Sequence, residues 1–202
     1  MTFALRDGVE LENPLSVALE FLRAYSSYTS YDSISGSRAS SFDEGDIRVA
    51  NRGGARISAA ELAAILERRA AIECALRHIR PDATLAGATR SIPWIPLMRL
   101  FDAFADLRGI GLSKMTKALH RKRPALIPML DSVVQTYLAS VDPAASSSGT
   151  FGERATALVR SYKRDLDRNL LVLHDVQREL ANRDYVLSEV RILDLLIWSC
   201  HA

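Results

Sequence analysis

The chain has 202 residues, 48% of them hydrophobic and 25% charged, with a formal net charge of +2. That size and composition suit a globular protein with a real buried core, built as a single domain or as two small helical lobes. The near-balanced charge excludes a uniformly cationic face, so any contact with a nucleic acid must be a local patch. Two cysteines, Cys74 and Cys200, lie far apart; they suit a reducing compartment and exclude a four-cysteine structural metal site. The segment MTFALRDGVELEN has no signal-peptide pattern. The longest apolar run, Ile192–Trp198, is broken by Asp194 and too short to span a bilayer. A cytoplasmic protein without membrane, metal or cofactor is expected.

Pro14, with Asn13 as cap, predicts a helix through NPLSVALEFLRAYSSY, its apolar side built on Val17, Phe21 and Ala24. The Ser-, Gly- and Asp-rich SYDSISGSRASSFDEGD reads as a loop. Tyr25, Tyr28 and Tyr31 recur every third residue; they read as a half-buried aromatic stripe or as walls on which a base stacks. Asp46–Asn51 is a short helix or strand, stopped by Gly53 and Gly54. Ser58 and Glu61 form a capping box. One helix follows, with Leu62, Ile65, Leu66, Ile72, Leu76 and Ile79 on its apolar stripe, ending at Arg80-Pro81. Pro93-Trp94-Ile95-Pro96 introduces the next helix, whose buried face is Leu97, Met98, Phe101, Phe104 and Ala105.

The most informative stretch is GIGLSKMTKALHRKRPALIPMLDSVVQTY, residues 109–137. A Gly-Ile-Gly turn permits φ > 0 and close backbone approach, and leaves the first amides of the following helix open to an anion. Lys114 and Lys117 lie on that helix's first turns, and His120, Arg121, Lys122 and Arg123 end it. A phosphate held by backbone amides and ringed by cations is the expected ligand. Pro128-Met129-Leu130-Asp131 then places a carboxylate at the head of another helix, 20 residues after Gly111. On its own, Asp131 reads better as a helix N-cap, and its fixed distance to the Gly-Ile-Gly turn brings a functional reading level with that one.

These residues resemble the helix-hairpin-helix DNA glycosylases over about residues 90–140. Gly109-Ile110-Gly111 matches the hairpin turn, and Pro128–Asp131 matches the segment bearing the catalytic Asp. The resemblance implies a helix-hairpin-helix over residues 97–123 and double-stranded DNA as partner. It implies Gly109, Gly111, Ser113, Lys114, Lys117, Arg121 and Lys122 on the phosphates. It also implies a monofunctional N-glycosylase, with Asp131 stabilising an oxocarbenium-like transition state at C1′ of a damaged or modified nucleotide. Lyase-type members place a lysine two residues after the second glycine; here that position is Ser113, and Lys114 points about 100° away round the helix. Met115 departs from the family's usual small Ala. The cluster-bearing members' iron–sulfur centre is excluded by the cysteine count. Base-pocket candidates are Tyr25, Tyr28, Tyr31 and Trp94.

Residues 142–150, DPAASSSGT, read as a flexible connection to a C-terminal helical part, 151–202. Val159, Tyr162, Leu166, Asn169, Leu173, Val176 and Leu180 recur in steps of three and four. That stripe packs on the protein's own core or, in an interaction scaffold, on a partner. Ser188-Glu189 opens a last helix, apolar nearly all round, in which Asp194 needs a partner, an arginine being the first choice. No stretch alternates with period two. The expected fold is all-α, a helical bundle of two lobes. Three functions fit: a DNA N-glycosylase, a non-catalytic helix-hairpin-helix DNA-binding module, or the scaffold.

Overall fold

A computed structural model describes residues 2–25, 31–32, 39–146 and 149–202. Among these residues the protein is mostly helical, and the only sheet is an antiparallel pair, β1 (Phe3–Ala4) and β2 (Glu10–Leu11). The helices are α1 (Pro14–Ala24), α2 (Glu44–Arg52), α3 (Ala59–Glu67), α4 (Arg69–Arg77), α5 (Trp94–Asp102), α6 (Leu112–His120), α7 (Ser132–Val141), α8 (Phe151–Ala181) and α9 (Glu189–His201). No described helix is long and apolar enough to cross a membrane.

Several boundaries follow from local chemistry. Asn13 accepts from the Ser16 amide ahead of Pro14. Ser58 and Glu61 close their capping box, and Ser188 caps α9. Asp43 and Asp46 form another box, which makes residues 44–52 a helix, not a strand. One expected helix is two: the chain leaves helical geometry at Arg68 (ψ 3°), whose amide bonds the Ile65 carbonyl at 3.0 Å, so α3 and α4 meet at a bend. Half of the supposed flexible connection, Pro143–Ser146, is a 3₁₀ turn packed against α8.

Helix α8 is the axis of the molecule, touching α1, α5, α7, α9 and β1. Its stripe from Val159 to Leu180 is buried within this chain, so it is not available to a partner coil. Gly152 shows how closely α5 approaches: a Cβ there would collide with the Met98 carbonyl and the Asp102 carboxylate. Asn169 clamps β1 through both faces of its amide, 2.9 Å from the Ala4 amide and 3.0 Å from its carbonyl. Asp165, fully buried, takes an ion pair from Arg6 at 2.8 Å and the Tyr137 hydroxyl at 2.8 Å. One hydrophobic cluster extends from Phe3 to Ile197.

Candidate active site beside Asp131

Helix α5 stops at Asp102, and residues 103–111 run as turns before α6 begins. Helix α5 packs on α4 and α8, whereas α6 packs on α2. The expected first hairpin helix over 97–108 is therefore shorter, and it leans on other neighbours. Gly109 does need its glycine, at φ +82°, and Gly111 precedes α6 with open space at its missing side chain. The Glu61 carboxylate, however, lies where a Gly109 Cβ would stand and holds Lys114 Nζ at 2.6 and 2.8 Å. An acid, already neutralised by a lysine, faces this part of the turn; Lys114 holds its carboxyl below the usual range.

The basic helix turns most of its cations inward, against expectation. Lys117 is 6% exposed, and burial depresses its pKa. Lys122 is buried, pairs with Asp46 at 2.6 Å and lies over the Phe42 ring. Arg121 is half-buried over Tyr31, 5.8 Å from the ring centre. Arg123 is fully buried and donates to the carbonyls of Ala39, Leu76, Ile79 and Lys122, two of them at the C-terminal end of α4. His120 bonds the Ile127 carbonyl region at 2.6 Å, and burial drives its pKa down to about 3. These side chains fasten α6 to its surroundings. Of the residues expected on phosphates, Lys117 and Lys122 are buried and Lys114 is held by Glu61, whereas Gly111 is exposed and Ser113 half-buried. Locally the sequence shows only the cations, because their partners at 39, 46, 61, 76 and 79 are distant in the chain.

The same helix positions Asp131. Thr116 Oγ donates to the Leu112 carbonyl at 2.8 Å and accepts from the Leu130 amide at 3.0 Å, pinning the returning segment to α6. The Gln135 side-chain amide donates to the Leu130 carbonyl at 2.7 Å. The neighbouring Met129 amide donates to Asp194 Oδ2 at 3.0 Å, tying the segment to α9. Asp131 then opens α7, its Oδ1 accepting from the Val134 amide at 3.0 Å. Capping does not exhaust it: Asp131 also lines a narrow cavity with Phe21, Met129, Val134, Arg191, Asp194, Leu195 and Trp198. The free space is about 10 Å³, that of one water.

Four of those walls come from one face of α9, Arg191, Asp194, Leu195 and Trp198, at the 3- and 4-residue steps of a helix. Asp194 is 3% exposed. Burial pushes its carboxyl up to about 8, with the Arg191 charge opposing the shift and Asp131 adding to it. Its Oδ1 has no hydrogen-bond partner among the described residues, and the adjacent Tyr162 hydroxyl gives its proton to the Val190 carbonyl at 2.6 Å. The arginine expected to pair with Asp194 is indeed close, one turn earlier, but its Nε reaches both Asp32 oxygens at 3.1 Å.

Phe21, Tyr25 and Trp198 form an aromatic wall, with ring centres 4.8 to 5.3 Å apart. Tyr25, 39% exposed, is at the outer side of that wall. Tyr31, fully buried with its hydroxyl on the Lys117 carbonyl at 2.9 Å, is a structural anchor instead of a stacking platform. The ring at Gly53 explains that glycine: a Cβ there would meet Tyr31 at 2.8 Å. Trp94 does not line the cavity; it bonds the Thr89 carbonyl and carries the Arg160 guanidinium 4.0 Å above its ring. Tyr28 lies outside the described residues. Phe21, Arg191 and Trp198 were missed; a charged pair three apart on an otherwise apolar α9 was the available signal.

Fold and cavity together define a helical protein with paired acids beside a buried arginine. The chain belongs to the DUF6308 family, a family of unknown function, whose model matches residues 18–201. No curated protein and no solved structure matches the chain.

Proposed function

We propose that the protein is a monofunctional DNA N-glycosylase that releases a base through chemistry at Asp131. The observation that carries this is the position of Asp131: 20 residues after Gly111, at the head of a helix, and facing a cavity it shares with a second acid and an aromatic wall. A carboxylate fixed there stabilises positive charge developing at C1′ in a dry site. The Val134 amide holds it in place, so little reorganisation is needed as the charge appears. A nucleobase exceeds the space available, so the cavity has to open for a flipped base to reach Asp131. The turn at Gly111 and Ser113 supports the neighbouring phosphates, with less cationic help than the sequence suggests. That shortage favours a catalytic protein over a non-catalytic DNA-binding module, for which the hairpin's charge would have to supply most of the affinity.

The test is a panel of DNA duplexes, each with one modified or mismatched base, assayed for abasic sites after incubation. The protein is expected to release at least one base and to leave the strand intact until alkali or heat cleaves it, since no lysine occupies the nucleophile position. Failure to release any base, or strand cleavage trapped covalently by borohydride, overturns the proposal.

A further inference from the structure

The wall of the Asp131 cavity supplied by α9 has a chemical asymmetry. Asp194 uses Oδ2 on the Met129 amide, two residues before Asp131, so one short segment fixes both acids relative to each other. Oδ1 has no well-formed hydrogen bond among the described residues: the Tyr162 hydroxyl is close enough to act on this carboxyl, but its proton is directed to the Val190 carbonyl, and the side chain is 97% buried on the cavity wall. Asp194 is faced by Arg191 on its own helix, Asp131 at the head of α7, Tyr162 on α8, and, more distantly, by Lys117 and the neutral Tyr31 hydroxyl. Arg191 remains charged through Asp32 and stands in the same wall. A permanent cation beside the pocket repels a base that already carries positive charge. A neutral carboxyl beside it offers a proton.

We infer that Asp194 is a second catalytic group of this site, the acid that protonates the departing base, and that the substrate is accordingly an uncharged base and not a cationic alkylated one. The inference rests on the glycosylase reading above. As the C1′–N bond breaks, its electron pair goes to the base and the Asp194 proton moves to a ring nitrogen or exocyclic oxygen of that base. Water adds to C1′, and the proton it sheds passes to Asp131 and on to solvent. Asp194 regains its proton from solvent, so the sum is base–sugar plus water giving free base and an abasic sugar. Burial holds Asp194 protonated at neutral pH, which is the state this step needs.

The experiment compares wild type with Asp194→Asn, which keeps an acceptor for the Met129 amide but has no acidic proton. The substrates are duplexes bearing a neutral base (hypoxanthine, uracil, 8-oxoguanine or a mispaired adenine) and duplexes bearing N7-methylguanine, which leaves without protonation. Wild type is expected to release a neutral base with a rate that falls above about pH 8. The variant is expected to lose about 100-fold or more on that base and its pH limb with it, while any release of N7-methylguanine stays within about threefold. Equal losses on both classes, a wild-type rate in the variant, or a wild-type preference for N7-methylguanine each overturns the assignment. Wild type inert on every duplex defeats the glycosylase reading itself. Carbon-13 NMR of the Asp194 carboxyl in wild type needs no variant to fold: a protonated signal at pH 7 supports the assignment, and a carboxylate signal at pH 6 overturns it.

Discussion

Helices α6 and α9 invert what their compositions suggest. Helix α6 and its extension carry Lys114, Lys117, His120, Arg121, Lys122 and Arg123, and most of these charges are spent inside the protein on Asp46, Glu61 and carbonyl groups. Helix α9 reads as apolar packing, yet its two buried ionisable side chains, Arg191 and Asp194, line the cavity that Asp131 faces. Surface charge is set by where partners fold to, and a buried acid without a full set of hydrogen bonds marks a place where function overrides packing.

The comparison can be tested most severely at Arg123. If it anchors α4 to α6, Arg123→Ala removes its bonds to four carbonyls, of which that of Leu76 keeps the Ile79 amide, and costs about 3–5 kcal/mol of stability, read by denaturant unfolding. A loss below about 1 kcal/mol, with weaker DNA binding instead, would return this residue to the surface role its sequence suggests. Gly152→Ala, a control outside α6 and α9, is expected to cost about 1–3 kcal/mol, because the new methyl meets the Met98 carbonyl, backbone that cannot move cheaply, and the Asp102 carboxylate.

Stability against pH separates the two helices further. The Asp194 carboxyl is raised on folding to about 8 from 3.8, so its contribution is complete below pH 3.8 and is lost as pH rises through 8. The His120 imidazole is lowered to about 3 from 6.5, so its contribution is complete above pH 6.5 and is lost as pH falls toward 3. Between pH 4 and 6.5 the two slopes oppose each other. From pH 6.5 to 8 that of Asp194 remains, at up to about 1.4 kcal/mol per pH unit. Thermal melts should therefore show falling stability over that upper window in wild type, and a flatter profile in Asp194→Asn. The smallest effect belongs to Lys114. Because Glu61 neutralises it, Lys114→Ala should change DNA affinity by less than about threefold, whereas Glu61→Gln frees the lysine and steepens the salt dependence of binding by up to about one unit. Filter binding across a salt series checks both.

Much of the fold is local enough to read. Asn13, Ser58, Asp131 and Ser188 each announce a helix start because a cap and its amide are three residues apart. The stripe from Val159 to Leu180 announces a buried face for the same reason of short spacing. The bend at Arg68 carries neither Gly nor Pro and is invisible locally. Of the cavity, Asp131 was legible from its spacing to Gly111 and Asp194 from its apolar setting. Their meeting was not, since the Met129–Asp194 bond spans 65 residues. The cations of α6 misled for the same reason, their partners being up to 84 residues away.

Single-turnover base release by Asp131→Asn, on whichever duplex the wild-type protein attacks, tests the central claim most directly. Asparagine keeps an oxygen for the Val134 amide, so the helix cap survives while the charge facing the cavity is lost. The expected result is a drop of about 100- to 1,000-fold in rate, with melting temperature and DNA affinity little changed. Base release by this variant at the wild-type rate would contradict the account.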